Sequence, residues 1–226
     1  MKKSMIEKSF PRNIRVYLFI KRTVGIILAT GILIITFPIC VLTAIAIKLE
    51  TPGPIIADVP PRVGKNNKPF KIYKFRSMIC NAHEMIRKDP RFRKIFKEFK
   101  ENNFKLKNDP RVTKVGKFIR HHSIDELPQL INILKGDMNL VGPRPYYADE
   151  LKKYIEDFPE TKELIEKALT VKPGITGLWQ VSGRSNVDFK ERVVLDAKYA
   201  RRKNLFDDIV ILLKSPWVVL TGQGAS

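Results

Sequence analysis

A run of 25 residues without a charge, TVGIILATGILIITFPICVLTAIAI at positions 23–47, constrains this chain more than any other feature. As a helix it is long enough to span a membrane, for which about 20 apolar residues suffice. Two details argue against a simple crossing. Positive residues mark the cytoplasmic flank of a span, yet both flanks here are basic. Residues 1–22 carry seven Lys or Arg against one acid, and residues 60–120 carry nineteen against five. Pro38 also falls inside the run, where it removes a backbone hydrogen bond and kinks or breaks a helix. The arm before it, residues 23–37, is about 22 Å long at 1.5 Å per residue, short of a ~30 Å hydrocarbon core. A bent, re-entrant helix that enters and leaves on the cytoplasmic side meets both constraints, with Pro38 at the bend and the Thr36 hydroxyl near the freed carbonyls. A kinked span is the alternative. A cleavable signal peptide, suggested by Ala44-Ile45-Ala46, needs a shorter apolar region of ~7–15 residues.

Charge then narrows the partners. The net +19 of the 226 residues lies in the two basic blocks, because residues 121–226 hold fifteen side chains of each sign. Basic blocks that bracket an apolar segment suit anionic lipid or phosphate-rich substrates, and no nucleic acid is expected. Two cysteines, Cys40 and Cys80, exclude a disulfide framework, and no Cys-x-x-Cys suggests zinc. At 44% hydrophobic and 29% charged the chain is not disordered.

The fold class expected is α/β, mainly helical. Residues 1–50 form a basic N-terminus and re-entrant membrane helix. Residues 51–226 form one cytoplasmic domain of helices with a small β-hairpin and interfacial amphipathic helices. Pro52-Gly53-Pro54 ends the membrane element with a rigid turn. Residues 69–76 alternate apolar and basic side chains as a half-buried strand does, and Asn66-Asn67 suits a turn pairing them with a strand near 55–57. Residues 91–100, RFRKIFKEFK, place Phe92, Ile95, Phe96 and Phe99 at helical spacing among basic residues, which fits an interfacial helix or a surface helix on its own core. A helix pair interrupted at Pro159 is predicted over 149–171, and a further helix over 188–203. Residues 207–220 are apolar apart from Lys214, with a bend expected at Ser215-Pro216 and a second interfacial contact near Trp217.

Ionisable residues gather around one acidic pair, Asp125-Glu126. Ser123, with Glu126 three residues on and an apolar run after it, has the form of a capping box, and Pro128 tolerates a first helical turn. Two acids there simply complement the helix dipole unless their company says otherwise. Arg120 precedes them, Pro143-Arg144-Pro145 holds a guanidinium on a stiff segment, and Gly183-Arg184 supplies a third. Guanidinium groups bind phosphate bidentately, and carboxylates among them suit a bound metal or a nucleophile aimed at phosphorus. The glycines of 174–177 and 182–185 are weak candidates for close approach to a phosphate, and no Walker-type or dinucleotide-binding motif is present.

Three segments, KIYKFRSM (71–78), SIDELPQLINILKGDMNLVGPRP (123–145) and KPGITGLWQVSGRS (172–185), resemble in that order the bacterial sugar transferases, the monotopic polyprenyl-phosphate phosphoglycosyl transferases. With the apolar N-terminus and the Pro-Gly-Pro turn the resemblance covers nearly the whole chain. It implies transfer of a sugar-1-phosphate from a UDP-sugar to undecaprenyl phosphate with release of UMP, the first step of a bacterial exopolysaccharide, capsule, O-antigen or glycoconjugate. By that likeness Asp125 is the nucleophile that carries the phosphosugar, and Glu126 supports it or helps bind Mg2+. Lys74, Arg76 beside it, Arg120, Arg144 between Pro143 and Pro145, and Arg184 match substrate-binding positions. The likeness also implies a re-entrant helix broken at Pro38 and a catalytic domain on the cytoplasmic face of the inner membrane, while the residues leave homodimeric assembly open. Two other classes remain: a non-catalytic membrane tether for polyanions, and a lipid-phosphate phosphatase.

Overall fold

The computed structural model describes residues 14–88, 90, 109–183 and 187–220. The segment 91–100, Arg184 and most of the N-terminal basic block lie outside the described residues.

Helix α1 (Ile14–Glu50) is a single 37-residue element that continues through Pro38. A proline forfeits one N–H bond, and a helix already nucleated on both sides can absorb that loss. The Thr36 hydroxyl donates to the Ile32 carbonyl at 2.7 Å, so it serves an upstream carbonyl and not the one Pro38 frees. One stripe of α1 packs inward, with Tyr17, Gly25, Ala29, Thr43 and Ile47 buried at near-helical spacing. The opposite side is apolar and exposed: Phe19, Ile27, Ile34, Ile35, Phe37, Leu42 and Leu49 all face outward. Both ends of α1 are tied to the same body. Lys21 pairs with Asp208 at 2.9 Å near one end, and Glu50 accepts the Lys114 N–H at 2.6 Å at the other.

The expected hairpin is present but shorter and shifted. Strand β1 (Arg62–Val63) pairs antiparallel with β2 (Pro69–Phe70), and the turn between them puts Asn66 and Asn67 at φ of 55° and 61°, which Asn tolerates. Beyond β2 the pairing returns at an isolated bridge from Ile56 to Phe75, where Ala57 N–H donates to the Lys74 carbonyl at 2.9 Å. Helices α2 (Ala82–Lys88) and α3 (Lys114–His121) follow, the latter capped by the Thr113 hydroxyl.

The capping box expected at Ser123 does not form. Ser123 takes a left-handed φ of 56° and makes no capping bond, so Ile124–Glu126 become a separate 3-10 turn. Helix α4 (Gln129–Lys135) starts only after Pro128, whose fixed φ suits a helix entry. Strand β3 (Asn139–Val141) leads to β4 (Tyr146–Tyr147), which adds to β1. Helices α5 (Ala148–Asp157) and α6 (Lys162–Ala168) are separated at Pro159 as expected.

Strand β5 (Gly174–Thr176) pairs in parallel with β3, a contact that strand periodicity did not announce in so short a segment. Glycines make it possible. A Cβ on Gly174 would lie 2.1 Å from the Gly142 nitrogen and one on Gly177 2.2 Å from the Gly142 oxygen, so the glycines of 174–177 are used in packing backbone on backbone. Helix α7 (Leu178–Val181), helix α8 (Phe189–Arg202) with Asp188 as its N-cap, and helix α9 (Leu205–Leu220) complete the chain. Helix α9 runs on through Pro216, and Ser215 donates to the Ile211 carbonyl while contacting the Thr176 hydroxyl.

Three apolar clusters hold these pieces. The largest joins Ala29 of α1 to Leu130, Ile133, Val141, Tyr199 and Ile211. A second packs α5 and α6 against Phe189 and Val193 of α8. The third joins Ile47 of α1 to Phe75 and Ile119, with Ile124 and Leu127 packed on it. Because Ile124 and Leu127 flank Asp125-Glu126, the acidic turn is seated on the last turns of α1.

Candidate active site

Local hydrogen bonds fix one lysine against the acidic turn. The Tyr73 N–H donates to Asn132 Oδ1 at 2.9 Å, and the Phe75 N–H donates to the Asp125 carbonyl at 3.0 Å. Lys74 lies between these bonds, so its direction is set by the backbone. Its ammonium sits 2.7 Å from Glu126 Oε1 and 3.6 Å from Asp125 Oδ2. Asn132 is fully buried on α4 and also donates to the Lys71 carbonyl at 2.7 Å, so α4, which follows the acidic turn directly, carries the anchor of Lys74.

The two carboxylates are unequal. Asp125 is buried while Glu126 remains more open, with side-chain exposures of 10% and 38%. Burial pushes the Asp125 carboxyl up, the neighbouring Glu126 charge adds to that, and Lys74 and Arg120 pull it back without cancelling the rise. For Lys74, burial alone would lower the ammonium, but Glu126 and Asp125 outweigh it and the net shift is upward.

Around this centre the fold gathers cations from distant segments. Arg120 acts electrostatically on Asp125, and its Nε donates to Ser77 Oγ at 3.0 Å. Arg62 of β1 feels both Glu126 and Arg144, which places it between the dyad and the Pro143-Arg144-Pro145 segment. It stacks on the Tyr147 ring at 3.2 Å and donates to the Pro145 carbonyl at 3.2 Å. The Pro143 carbonyl accepts the Gly174 N–H at 2.9 Å, so the stiff segment is held from both sides. The Arg144 and Arg192 guanidiniums lie 5.3 and 4.8 Å from the Trp179 ring centroid, a cation–π arrangement that spaces two like charges. The Nε atoms of Arg62, Arg144 and Arg192 are buried and have no hydrogen-bond acceptor among the described residues.

Arg76 is placed differently from its sequence neighbour Lys74. It donates to the Pro52 and Thr51 carbonyls, both at 2.8 Å, and so clamps the turn that ends α1. Arg184 lies outside the described residues. The sequence did not point to Arg62, Arg192 or Asp196. Arg62 sits in an unremarkable loop, and Arg192 and Asp196 fall on a helix whose buried face reads as core. Asp196 is fully buried, accepts the Tyr146 hydroxyl at 2.5 Å and the Arg144 N–H at 3.3 Å, and so fastens the Arg144 segment to α8.

Among the described residues no three acidic, His or Cys side chains gather as a complete metal cage. Two adjacent carboxylates are nevertheless the donor set that Mg2+ uses, since it is commonly held by one or two carboxylates with the remaining positions filled by substrate phosphates and water. Asp125 and Glu126 fit that role chemically.

Comparison with known proteins identifies the family. The family described as Bacterial sugar transferase matches residues 16–222. An undecaprenyl-phosphate galactose phosphotransferase of Salmonella typhimurium is 46% identical over 211 residues, covering 92% of this chain and 42% of its own. The UDP-glucose:undecaprenyl-phosphate glucose-1-phosphate transferase of Escherichia coli is 39% identical over 201 residues, covering 85% of this chain and 38% of its own. The exopolysaccharide production protein ExoY of Rhizobium meliloti is 37% identical over 205 residues, 91% of this chain and 87% of that one. The chain thus spans about two-fifths of the length of the first two relatives and most of the third.

Proposed function

The chain belongs to the bacterial sugar transferase family, and from that premise we propose that it transfers a sugar-1-phosphate from a UDP-sugar to undecaprenyl phosphate through a covalent intermediate on Asp125. The observation that carries this reading is the buried Asp125 carboxylate beside Glu126, in reach of Lys74, with Arg120 acting on Asp125 and Arg62 on Glu126. The activities for which the Salmonella and Escherichia relatives are named supply the substrate class.

The chemistry follows from the charges. A carboxylate is a weak nucleophile and approaches a diphosphate only where cations neutralise the repulsion. Asp125 attacks the β-phosphorus, the bond from that phosphorus to the bridging oxygen breaks, and UMP leaves with the electron pair. A phosphate oxygen of the lipid then attacks the same phosphorus, breaks the acyl-phosphate bond and restores the Asp125 carboxylate. Lys74 holds the dyad in place before attack, and Arg62, Arg120 and Arg144 receive the charge of the phosphates. Mg2+, held by Asp125 and Glu126, would supply further neutralisation of the donor diphosphate.

A lipid acceptor requires a site at the bilayer surface. The acidic turn rests on α1, whose outward side is apolar along its length. We place α1 in the cytoplasmic leaflet as a re-entrant element, because both its basic flanks and both its anchored ends belong on one side. The exposed row Phe206, Ile209, Leu213 and Trp217 of α9 adds a second interfacial contact.

The test is direct. Purified protein with a panel of UDP-sugars, undecaprenyl phosphate and Mg2+ should release UMP, and Asp125→Asn should lower that release by at least about a thousandfold, as loss of a nucleophile does. Full activity in the Asn variant would sink the nucleophile assignment.

A further inference from the structure

We infer that Lys65, Lys167, Lys172 and Lys203, with Arg22, form a binding site for the phosphate headgroup of an anionic lipid, separate from the catalytic cluster. The inference rests on the membrane placement proposed above.

The five cations come from five places in the chain: α1, the turn after β1, the last turn of α6, the loop before β5, and the C-cap of α8. Three of them belong to the half of the sequence whose charges cancel, so the patch is made by folding. The Asn66 N–H donates to the Leu169 carbonyl at 2.8 Å, which brings the Lys65 turn onto the end of α6. A Cβ on Gly136 would lie 3.5 Å from both the Arg22 guanidinium and Lys172 Nζ, so those two converge over the end of α4.

Arg22 donates to the Ile133 and Leu134 carbonyls at the end of α4, the latter at 2.8 Å, but the lysines around it lack such compensation. Lys172 is half-buried, and burial pushes its ammonium down, with Arg22 and Lys65 adding to the drop. Lys203 is lowered in the same way by burial, then by Lys167 and Lys65. Asp137 is the acidic group that faces Lys172, and its pull does not reverse the shift. No ion pair joins any of the four lysines to an acid among the described residues. Lys167 and Lys203 complement the carbonyl ends of their helices, but Lys65 and Lys172 have no such reason to be there. Like charges drawn together in a partly dry site repel, and a bound anion removes the cost.

Position selects a lipid as the source of that anion. Arg22 immediately precedes the uncharged run of α1, and Lys203 stands two residues before α9. The Lys21–Asp208 pair pins the starts of these helices together. The cations therefore lie where two exposed apolar faces begin, which is headgroup depth once those faces are in the acyl region. Each cation near an anionic surface strengthens association by roughly fivefold.

The full chain, reconstituted in phosphatidylcholine nanodiscs with and without phosphatidylglycerol, tests this by thermal unfolding. Phosphatidylglycerol should raise the wild-type melting temperature by several degrees. The variant K65Q/K167Q/K172Q/K203Q should lose most of that rise while melting no lower than wild type in pure phosphatidylcholine, since its mutual repulsion is gone, and the control K117Q/K198Q should keep the rise. The reversed variant K172E/K203E should melt lower with phosphatidylglycerol than without. Retention of the full rise in the fourfold variant, or the same rise from inorganic phosphate in phosphatidylcholine discs, would overturn the inference. Failure of the protein to enter nanodiscs at all would instead refute the membrane placement, and this site with it. None of these readouts depends on UMP release.

Discussion

Lys74 governs when Asp125 carries the charge it needs. The carboxyl is already raised by burial, and the lysine beside it is the largest influence holding it down. Lys74→Gln should therefore move the acid limb of the pH–rate profile to higher pH than in wild type. An unmoved limb would mean that another group titrates. Asp196 is governed by the same physics with a different result. Complete burial pushes its carboxyl up to about 7, while the Tyr146 hydroxyl, the Arg144 N–H and the Arg192 and Arg144 charges act to lower it. Between about pH 4 and 7 the folded protein holds a proton that the unfolded chain has released, so this group's contribution falls as pH rises through that window and is flat above it. Asp196→Asn mimics the protonated acid. The variant should match wild-type stability near pH 4 and exceed it above pH 7, measured by denaturant unfolding in detergent. The dyad and Lys74 were legible as residues in motifs. Asp196 was not, since a lone acid in a helical pattern carries no mark of burial.

At the scale of elements, α1 shows how pattern and packing divide the work. Its length and exposed apolar side follow from the uncharged run, but the inward stripe of Gly25, Ala29 and Thr43 follows from partners in α4 and β3. Pro38 does not interrupt it as secondary structure, so topology has to be read by accessibility. With Cys40 and Cys80 replaced by serine, single cysteines at S4C and T51C should both resist membrane-impermeant thiol reagents added to intact cells, and both should label in inverted vesicles. Labelling of one but not the other from outside would show a crossing helix. The turn at 123–126 teaches the converse lesson. The Ser-x-x-Glu pattern predicted a helix start, and a left-handed Ser123 with Pro128 moved that start downstream, leaving Asp125 in a tighter turn where its side chain is held against Lys74.

For the molecule as a whole, the start of the apolar helix α1 is joined to the domain by a polar knot. Lys21 reaches Asp208 at 2.9 Å and is also bonded by Tyr199, while the Tyr17 hydroxyl donates to Asp208 at 3.1 Å. Asp208→Asn leaves Lys21 buried without its counter-charge, a change that typically costs about 3–5 kcal/mol. It should lower the melting temperature markedly, and Lys21→Met in the same chain should recover much of the loss. No recovery in the double variant would show that the pair does not act as a unit. The amino-acid sequence by itself determined the long apolar helix, the charge blocks, the helical character of the C-terminal half and the acidic dyad, because each is written in local composition or a contiguous motif. Tertiary structure alone decided that Arg76 clamps a turn while Lys74 meets the dyad, that Arg62, Arg144 and Arg192 share one site, and that lysines from a charge-neutral half converge beside α1. Those outcomes depend on which distant side chains become neighbours, and burial and Coulomb interactions are properties of that neighbourhood, not of order along the chain.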